Sequence, residues 1–207
     1  VSGAKTIKIE EPRLWLIRHG ATEWSLRGKH TGLTDLPLLP EGRNEAEKLG
    51  KRLRGYAFAA VFTSPLQRAR ETCALSGLGA KAEVLPDLVE WNYGAYEGLT
   101  SVEIRKTNPS WQLFRDGCPQ GESVAAAAAR LDRAIGTILG HFTGESGDVA
   151  IFSHGHALRV LALRYLGWPL EAGAQLLLDT TAVCRVKDDR GRRSLEIWND
   201  RSHLRTP

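Results

Sequence analysis

Leu14-Trp15-Leu16-Ile17-Arg18-His19-Gly20 is the stretch on which the reading of this chain turns. Four consecutive apolar residues, too few for a helix, describe a strand buried on both faces, and they stop at a cation, an imidazole and a glycine. The pattern returns twice. Ala60-Val61-Phe62-Thr63 reads as a strand ending at Ser64-Pro65, and Val149-Ala150-Ile151-Phe152 as one ending at Ser153-His154-Gly155. Strands of this kind belong to a parallel sheet covered by helices.

The intervening segments carry helical period. Ala46, Leu49 and Leu53 share one face, with Arg43, Lys48, Lys51 and Arg52 mostly on the other. Ser64 is a good N-cap with Pro65 at the first helical position, so a helix is predicted from there to about Gly77 and Gly79. A short strand is expected around Glu83-Val84-Leu85. Val124, Ala128, Leu131, Ile135, Ile138 and Phe142 mark a long helix that includes the strongly helical run Ala125 to Ala129. Another helix follows Gly155. Ala182 to Val186 and Ser194 to Trp198 read as two last strands joined by the polar turn Asp188 to Gly191. The expected architecture is one α/β domain over residues 1–207, a mostly parallel central sheet with helices on both faces. Its core spans about 13–186, and 187–207 is a basic C-terminal segment.

At 207 residues, 42% hydrophobic and 25% charged, the chain has the composition of a globular protein rather than a disordered one. No apolar run approaches the roughly 18 residues of a membrane helix. The opening stretch from Val1 to Glu11 mixes Lys5, Lys8, Glu10 and Glu11, holds no apolar signal core, and begins without Met. We read the start as trimmed and expect a cytoplasmic protein. Cys73, Cys118 and Cys184 are odd in number and far apart, which argues against a disulfide framework. Cys73 and Cys184 fall in apolar patterns, whereas Cys118 is expected in a loop where it is open to solvent. The net charge of +4 is mostly C-terminal, because residues 185–207 hold seven Lys/Arg against four acids. A solvated tail or hairpin accounts for that. Without interleaved aromatics or a groove-binding motif, no nucleic-acid partner is expected.

The chemistry lies in where three clusters fall. Arg18-His19, Ser64 to Arg68 and His154-Gly155 each follow the end of a predicted strand, where open α/β sheets bind ligands. Cations and imidazoles converging there point to an anion, and phosphate suits them. Arg presents a planar fork to phosphate oxygens, and a neutral imidazole can attack phosphorus. Taken singly, a histidine at a strand end is more often structural, and Arg68 alone reads as a surface helix residue. His154 and His156 alternate like a metal pair, but Arg18 and Arg68 would repel a cation, so neither metal nor cofactor is expected.

With these residues in place the resemblance is specific. Leu16-Ile17-Arg18-His19-Gly20-Ala21-Thr22-Glu23, Ser64-Pro65-Leu66-Gln67-Arg68-Ala69, Glu90-Trp91-Asn92-Tyr93-Gly94-Ala95-Tyr96-Glu97-Gly98 and Ser153-His154-Gly155 resemble, in order, the motifs of the histidine phosphatase (phosphoglycerate mutase-like) superfamily. The resemblance implies a metal-independent phosphomonoesterase acting on a small phosphorylated metabolite. It makes His19 the nucleophile, puts Arg18, Arg68 and His154 in a phosphate clamp, and makes Glu90 the proton donor, ahead of the nearby acids Asp87 and Glu97. Thr31 and Gly32 match the loop lining the substrate side. Ser25 stands where many relatives carry Asn, and Gly155 and His156 are further substrate contacts. Trp91, Tyr93 and Tyr96 are expected in the core or the pocket wall.

The segment from Leu99 to Gly121 is short, and Trp91 and His156 depart from the mutases' Arg and Asn. A phosphatase is therefore expected over a mutase, with a non-catalytic phosphate-binding protein as the other alternative. The stretch Trp111 to Cys118, with Gly121-Glu122-Ser123 and His154-Gly155-His156-Ala157-Leu158-Arg159, is similar to the branch of small acid phosphatases and sedoheptulose-1,7-bisphosphatase-like enzymes. On that resemblance Arg115 or His156 holds a second phosphate. A homodimer is compatible with small α/β enzymes generally, without a sequence signal for its interface.

Overall fold

Apolar residues on both faces of a strand require a layer of helices on each side, and the first strand shows how that demand is met. The computed structural model describes residues 11–142 and 147–205, so the readings made at Lys5, Lys8 and Glu10 lie outside the described residues. In β1 (Arg13–Arg18) the side chains of Leu14 and Leu16 enter one buried cluster, while Trp15 and Ile17 enter another on the opposite face. Helices α6 (Val124–Gly140) and α7 (Gly155–Leu166) cover the first face through Leu131, Ile138, Leu158 and Leu161. Helices α2 (Pro40–Leu53) and α3 (Gln67–Leu75) cover the second through Leu49, Leu53 and Cys73.

The sheet has six strands in the order β3-β2-β4-β1-β5-β6. Strands β2 (Phe58–Thr63), β3 (Ala82–Val84) and β4 (Asp148–Ser153) run parallel with β1. The hairpin of β5 (Val183–Asp189) and β6 (Arg192–Asp200) adds antiparallel strands at the far side. Three short helices, α1 (Glu23–Leu26), α4 (Ser101–Thr107) and α5 (Leu113–Asp116), lie in the connections. This is the three-layer α/β arrangement read from the sequence. Among the described residues, no helix is long and apolar enough to cross a membrane.

Two expectations are corrected. Helix α3 begins at Gln67 with Leu66 at its N-cap, so Pro65 precedes the helix, and Ser64 turns its hydroxyl toward His154, 2.7 Å away. Cys118 is buried, 8% exposed, and burial pushes its thiol up to about 12, as it does for Cys73 and Cys184. Its loop folds inward because Trp111 donates its indole N–H to Gly117 at 2.8 Å and packs the segment against the core. Of the tail and the hairpin left open for the basic segment, the structure shows the hairpin. Its residues form the edge of the sheet, with Lys187 paired to Glu196, Arg193 to Glu11 and Arg201 to Glu45.

Candidate active site

Strand register brings the three clusters together. Arg18 lies opposite Ser153 across the parallel β1–β4 pair, and Thr63 opposite Phe152 across β2–β4. The chain segments leaving β1, β2 and β4 therefore start side by side. Close packing beneath them is made possible by glycine: a Cβ on Gly20 would meet the Gly42 carbonyl oxygen of α2 at 2.5 Å. The Gly20 N–H also donates to Thr72 of α3 at 2.9 Å, which anchors the turn after His19.

His19 is buried, 3% exposed, and lines the cavity. Its Nδ1 lies 2.7 Å from the Gly20 carbonyl, an acceptor, so Nδ1 carries the proton and Nε2 keeps its lone pair. Burial first, then the guanidiniums of Arg68 and Arg18, hold this imidazole well below the ordinary histidine range, against the opposing bond to Gly20. The ring is thus a neutral imidazole whose tautomer is fixed by its own chain.

Arg68 and His154 are fully buried and bonded to each other. Arg68 Nε donates to His154 Nδ1 at 3.1 Å, so the proton of His154 is on Nε2, which faces Ser64 Oγ at 2.7 Å. The remaining fork of Arg68 donates to the carbonyls of Thr31, Gly32 and Thr34 at 2.8–3.1 Å. That loop is held from its other side by Glu97, whose carboxylate accepts from the N–H of Gly32 and Thr34. Gly32 is required there, because a Cβ would meet Glu97 Oε2 at 2.5 Å and the Trp91 carbonyl at 2.6 Å. Arg68 therefore stations its charge behind His19, where it shapes the field rather than offering a free fork.

Glu90 is 4% exposed and sits on the cavity wall at the start of α7. Its Oε1 accepts from the N–H of Trp91 and Ala157 and its Oε2 from that of His156, at 2.8–3.1 Å. A carboxylate at a helix N-terminus satisfies orphan donors and the helix dipole at once. Its own loop is fixed by Arg130 of α6, which donates to the carbonyls of Asp87 and Val89 and pairs with both oxygens of Glu122 at 2.7 Å. Arg130 escaped the sequence reading, and Glu122 entered it only within Gly121-Glu122-Ser123 and without a role, because gripping backbone leaves no local pattern.

The cavity encloses about 240 Å³. Of the residues named from sequence, Arg18, His19, Ser25, Thr31, Glu90, Tyr93, Gly155 and His156 line it. Arg68, His154 and Gly32 stand one layer behind. The Ser25 hydroxyl is engaged in a capping box with Thr22, accepting from its N–H and donating to its carbonyl, so Ser25 contributes wall more than a free donor. Arg115 does not reach the cavity. It lies exposed on α5, paired with Asp116 and the Ser110 carbonyl, because its place in the short helix turns it to solvent. His156 bonds through Nδ1 to the Tyr93 hydroxyl at 2.6 Å, and burial, then Arg159, keeps it well below its ordinary range. Lys29, His30 and Arg159 also line the wall, and the sequence reading gave none of them a role. Arg159 was discoverable: it follows Gly155 by four residues and His156 by three, the spacing of one helix face. Among the described residues, no group of three His, Cys, Asp or Glu side chains is arranged to hold a metal ion.

The family model described as histidine phosphatase superfamily (branch 1) matches residues 14–201. An acid phosphatase of Mycobacterium tuberculosis is 38% identical over 197 residues, covering 94% of this chain and 96% of that protein. A sedoheptulose 1,7-bisphosphatase of Saccharomyces cerevisiae is 36% identical over 206 residues, covering 86% of this chain and 76% of the relative. The solved phosphoserine phosphatase of Entamoeba histolytica, in complex with 3-phosphoglyceric acid, is similar at a TM-score of 0.82 and 27% identity, covering 93% and 99% of the two chains. An imidazole with a fixed tautomer among buried guanidiniums, and a family match over nearly the whole chain, lead to one assignment: this protein belongs to the histidine phosphatase superfamily.

Proposed function

We propose that the protein is a metal-independent phosphomonoesterase for a small phosphorylated metabolite, working through a phosphohistidine on His19. The observation that carries this reading is the state of His19: neutral, with Nδ1–H bound to Gly20 and Nε2 available at the cavity. In the first step Nε2 bonds to phosphorus as the ester P–O bond breaks, and Glu90 gives the departing oxygen its proton. In the second, Glu90 takes a proton from water, whose oxygen attacks phosphorus, and the P–N bond breaks to release inorganic phosphate. Arg18 and Arg68 stabilise the charge on the phosphoryl oxygens. The relatives named as phosphatases support the reaction class, and the sugar bisphosphate in one of those names supports a phosphorylated sugar as substrate. A cytoplasmic setting, with the protein as monomer or homodimer, completes the proposal.

Phosphate release from p-nitrophenyl phosphate and a panel of sugar phosphates, measured in EDTA, tests it. His19→Ala is expected to lower kcat/KM by at least about 10³-fold. Wild type quenched during turnover is expected to hold protein-bound phosphate that is stable in alkali and lost in acid. Release that needs a metal ion, or that survives the substitution, overturns the mechanism. Transfer of the phosphoryl group between metabolites without net release would assign a mutase instead.

A further inference from the structure

Arg18 is held far more lightly than Arg68. The Arg68 guanidinium donates to His154 and to three carbonyls. For the Arg18 guanidinium, among the described residues, the one protein acceptor is the Leu178 carbonyl, 2.5 Å from Nη1, and its Nε is buried without a partner. The direction in which Arg18 points at the cavity therefore depends on where Leu178 places its oxygen.

That oxygen lies in the loop before β5, and β6 grips the loop on both sides of it. The Trp198 indole N–H donates to the Leu177 carbonyl at 2.6 Å. The Asn199 side chain accepts from the Asp179 N–H at 2.8 Å and donates to the Asp179 carboxylate at 3.0 Å. Neighbouring side chains of a regular strand point to opposite faces, so two of them reaching one loop requires an irregularity. The strand supplies it. Val183 faces Asp200 and Arg185 faces Ile197, so Cys184 alone stands against both Trp198 and Asn199. At this bulge Asn199 takes φ +55° and turns its N–H to the Cys184 sulfur at 3.2 Å. Bulges re-aim side chains, and asparagine is among the residues that accept a left-handed backbone.

We infer that Trp198 and Asn199 are positioning residues for Arg18: the bulge in β6 fixes residues 177–179, whose middle carbonyl aims the guanidinium at the phosphoryl group. The C-terminal hairpin thereby takes part in anion binding, although none of its described residues lines the cavity. This rests on the reading of Arg18 as a phosphate ligand given above.

Calorimetric titration with inorganic phosphate, beside thermal melts, tests it. Glycine adopts a positive φ without strain, so Asn199→Gly removes the amide and leaves the bulge possible. It is expected to weaken phosphate binding by about 5- to 20-fold, and Trp198→Phe, which keeps an aromatic ring, by roughly 2- to 5-fold. Asn199→Asp sets two carboxylates against each other and should weaken binding as well. Adding Asp179→Asn to it restores the donor and acceptor in exchanged order and should recover most of the loss. In an Arg18→Gln background Asn199→Gly should have no further effect, because the two act as one unit. Glu196→Gln breaks the hairpin's pairs with Arg13 and Lys187 away from the loop, so it should lower Tm and leave phosphate affinity unchanged. Binding that needs Arg18 but is untouched by Asn199→Gly and Trp198→Phe overturns the inference and leaves Arg18 as a phosphate ligand. An equal loss in Glu196→Gln, or full additivity with Arg18→Gln, overturns it too. Binding indifferent to Arg18→Gln removes the ligand reading and the inference with it. Should Asn199→Gly fail to fold, Trp198→Phe and the exchanged pair supply the same comparison.

Discussion

At the scale of the residue, this site turns on where single protons sit. Gly20 and Arg68 fix the tautomers of His19 and His154, and the second depends on an Nε–H that lysine lacks. Arg68→Lys would keep a charge but leave His154 Nδ1 without its donor and buried carbonyls of the Thr31–Thr34 loop unsatisfied. We expect a loss of about 2–4 kcal/mol in stability and of 10²-fold or more in kcat/KM. A lysine variant that melts and turns over like wild type would refute the account. His19 and Arg18 were legible in the sequence because strand and turn are local, and a buried strand ending in Arg-His-Gly describes its own surroundings. Arg68 was legible as a participant but its hydrogen bonds were not, since they run to residues 31–34 and 154.

Among the elements, α7 and the loop bearing Glu90 depend on each other. The Glu90 carboxylate accepts three N–H groups, two of them from the first turn of α7, so the side chain proposed as proton donor also caps the helix. Two substitutions separate these roles. Glu90→Gln keeps the oxygen that bonds Trp91 and Ala157 but removes the proposed proton donor, and should lower kcat by about 10²–10⁴-fold with a modest change in Tm. Glu90→Ala should match that kinetic loss and lose a further 1–2 kcal/mol or so of stability with the cap. Equal melting temperatures for the two variants would show that the carboxylate does not hold the helix. The misplaced start of α3 belongs to this scale as well. Ser64 has the chemistry of an N-cap, but its hydroxyl is drawn to the His154 imidazole across two strands.

For the whole molecule, burying several imidazoles in one place makes stability depend on pH. His19, His154 and His156 are each held well below their ordinary range, with burial the first cause. Unfolded, they titrate near 6.5 or so. Between that value and their lower folded values the unfolded chain binds protons that the folded chain refuses. Stability present above about pH 6.5 is therefore lost as the pH falls, by up to about 1.4 kcal/mol per pH unit for each imidazole. Thermal melts from pH 8 to pH 5 should show a Tm that declines on the acidic side, and a Tm that rises on acidification would contradict the burial argument.

The sequence by itself determined the layer architecture, the order of the strands along the chain and the strand ends at which Arg18, His19 and His154 gather. Each of these follows from short-range pattern: apolar runs, helical period, and polar residues placed just beyond a strand end. Only the tertiary structure decided which cations face the cavity. Arg115 and Arg159 are indistinguishable as letters, yet α5 turns the first to solvent and α7 turns the second inward beside Arg18. It likewise decided that Cys118 is buried and that Arg130 grips the Glu90 loop. The physical reason is the same in each case: side-chain direction and desolvation are set by contacts between segments far apart in the chain, and those contacts exist only once the layers have packed.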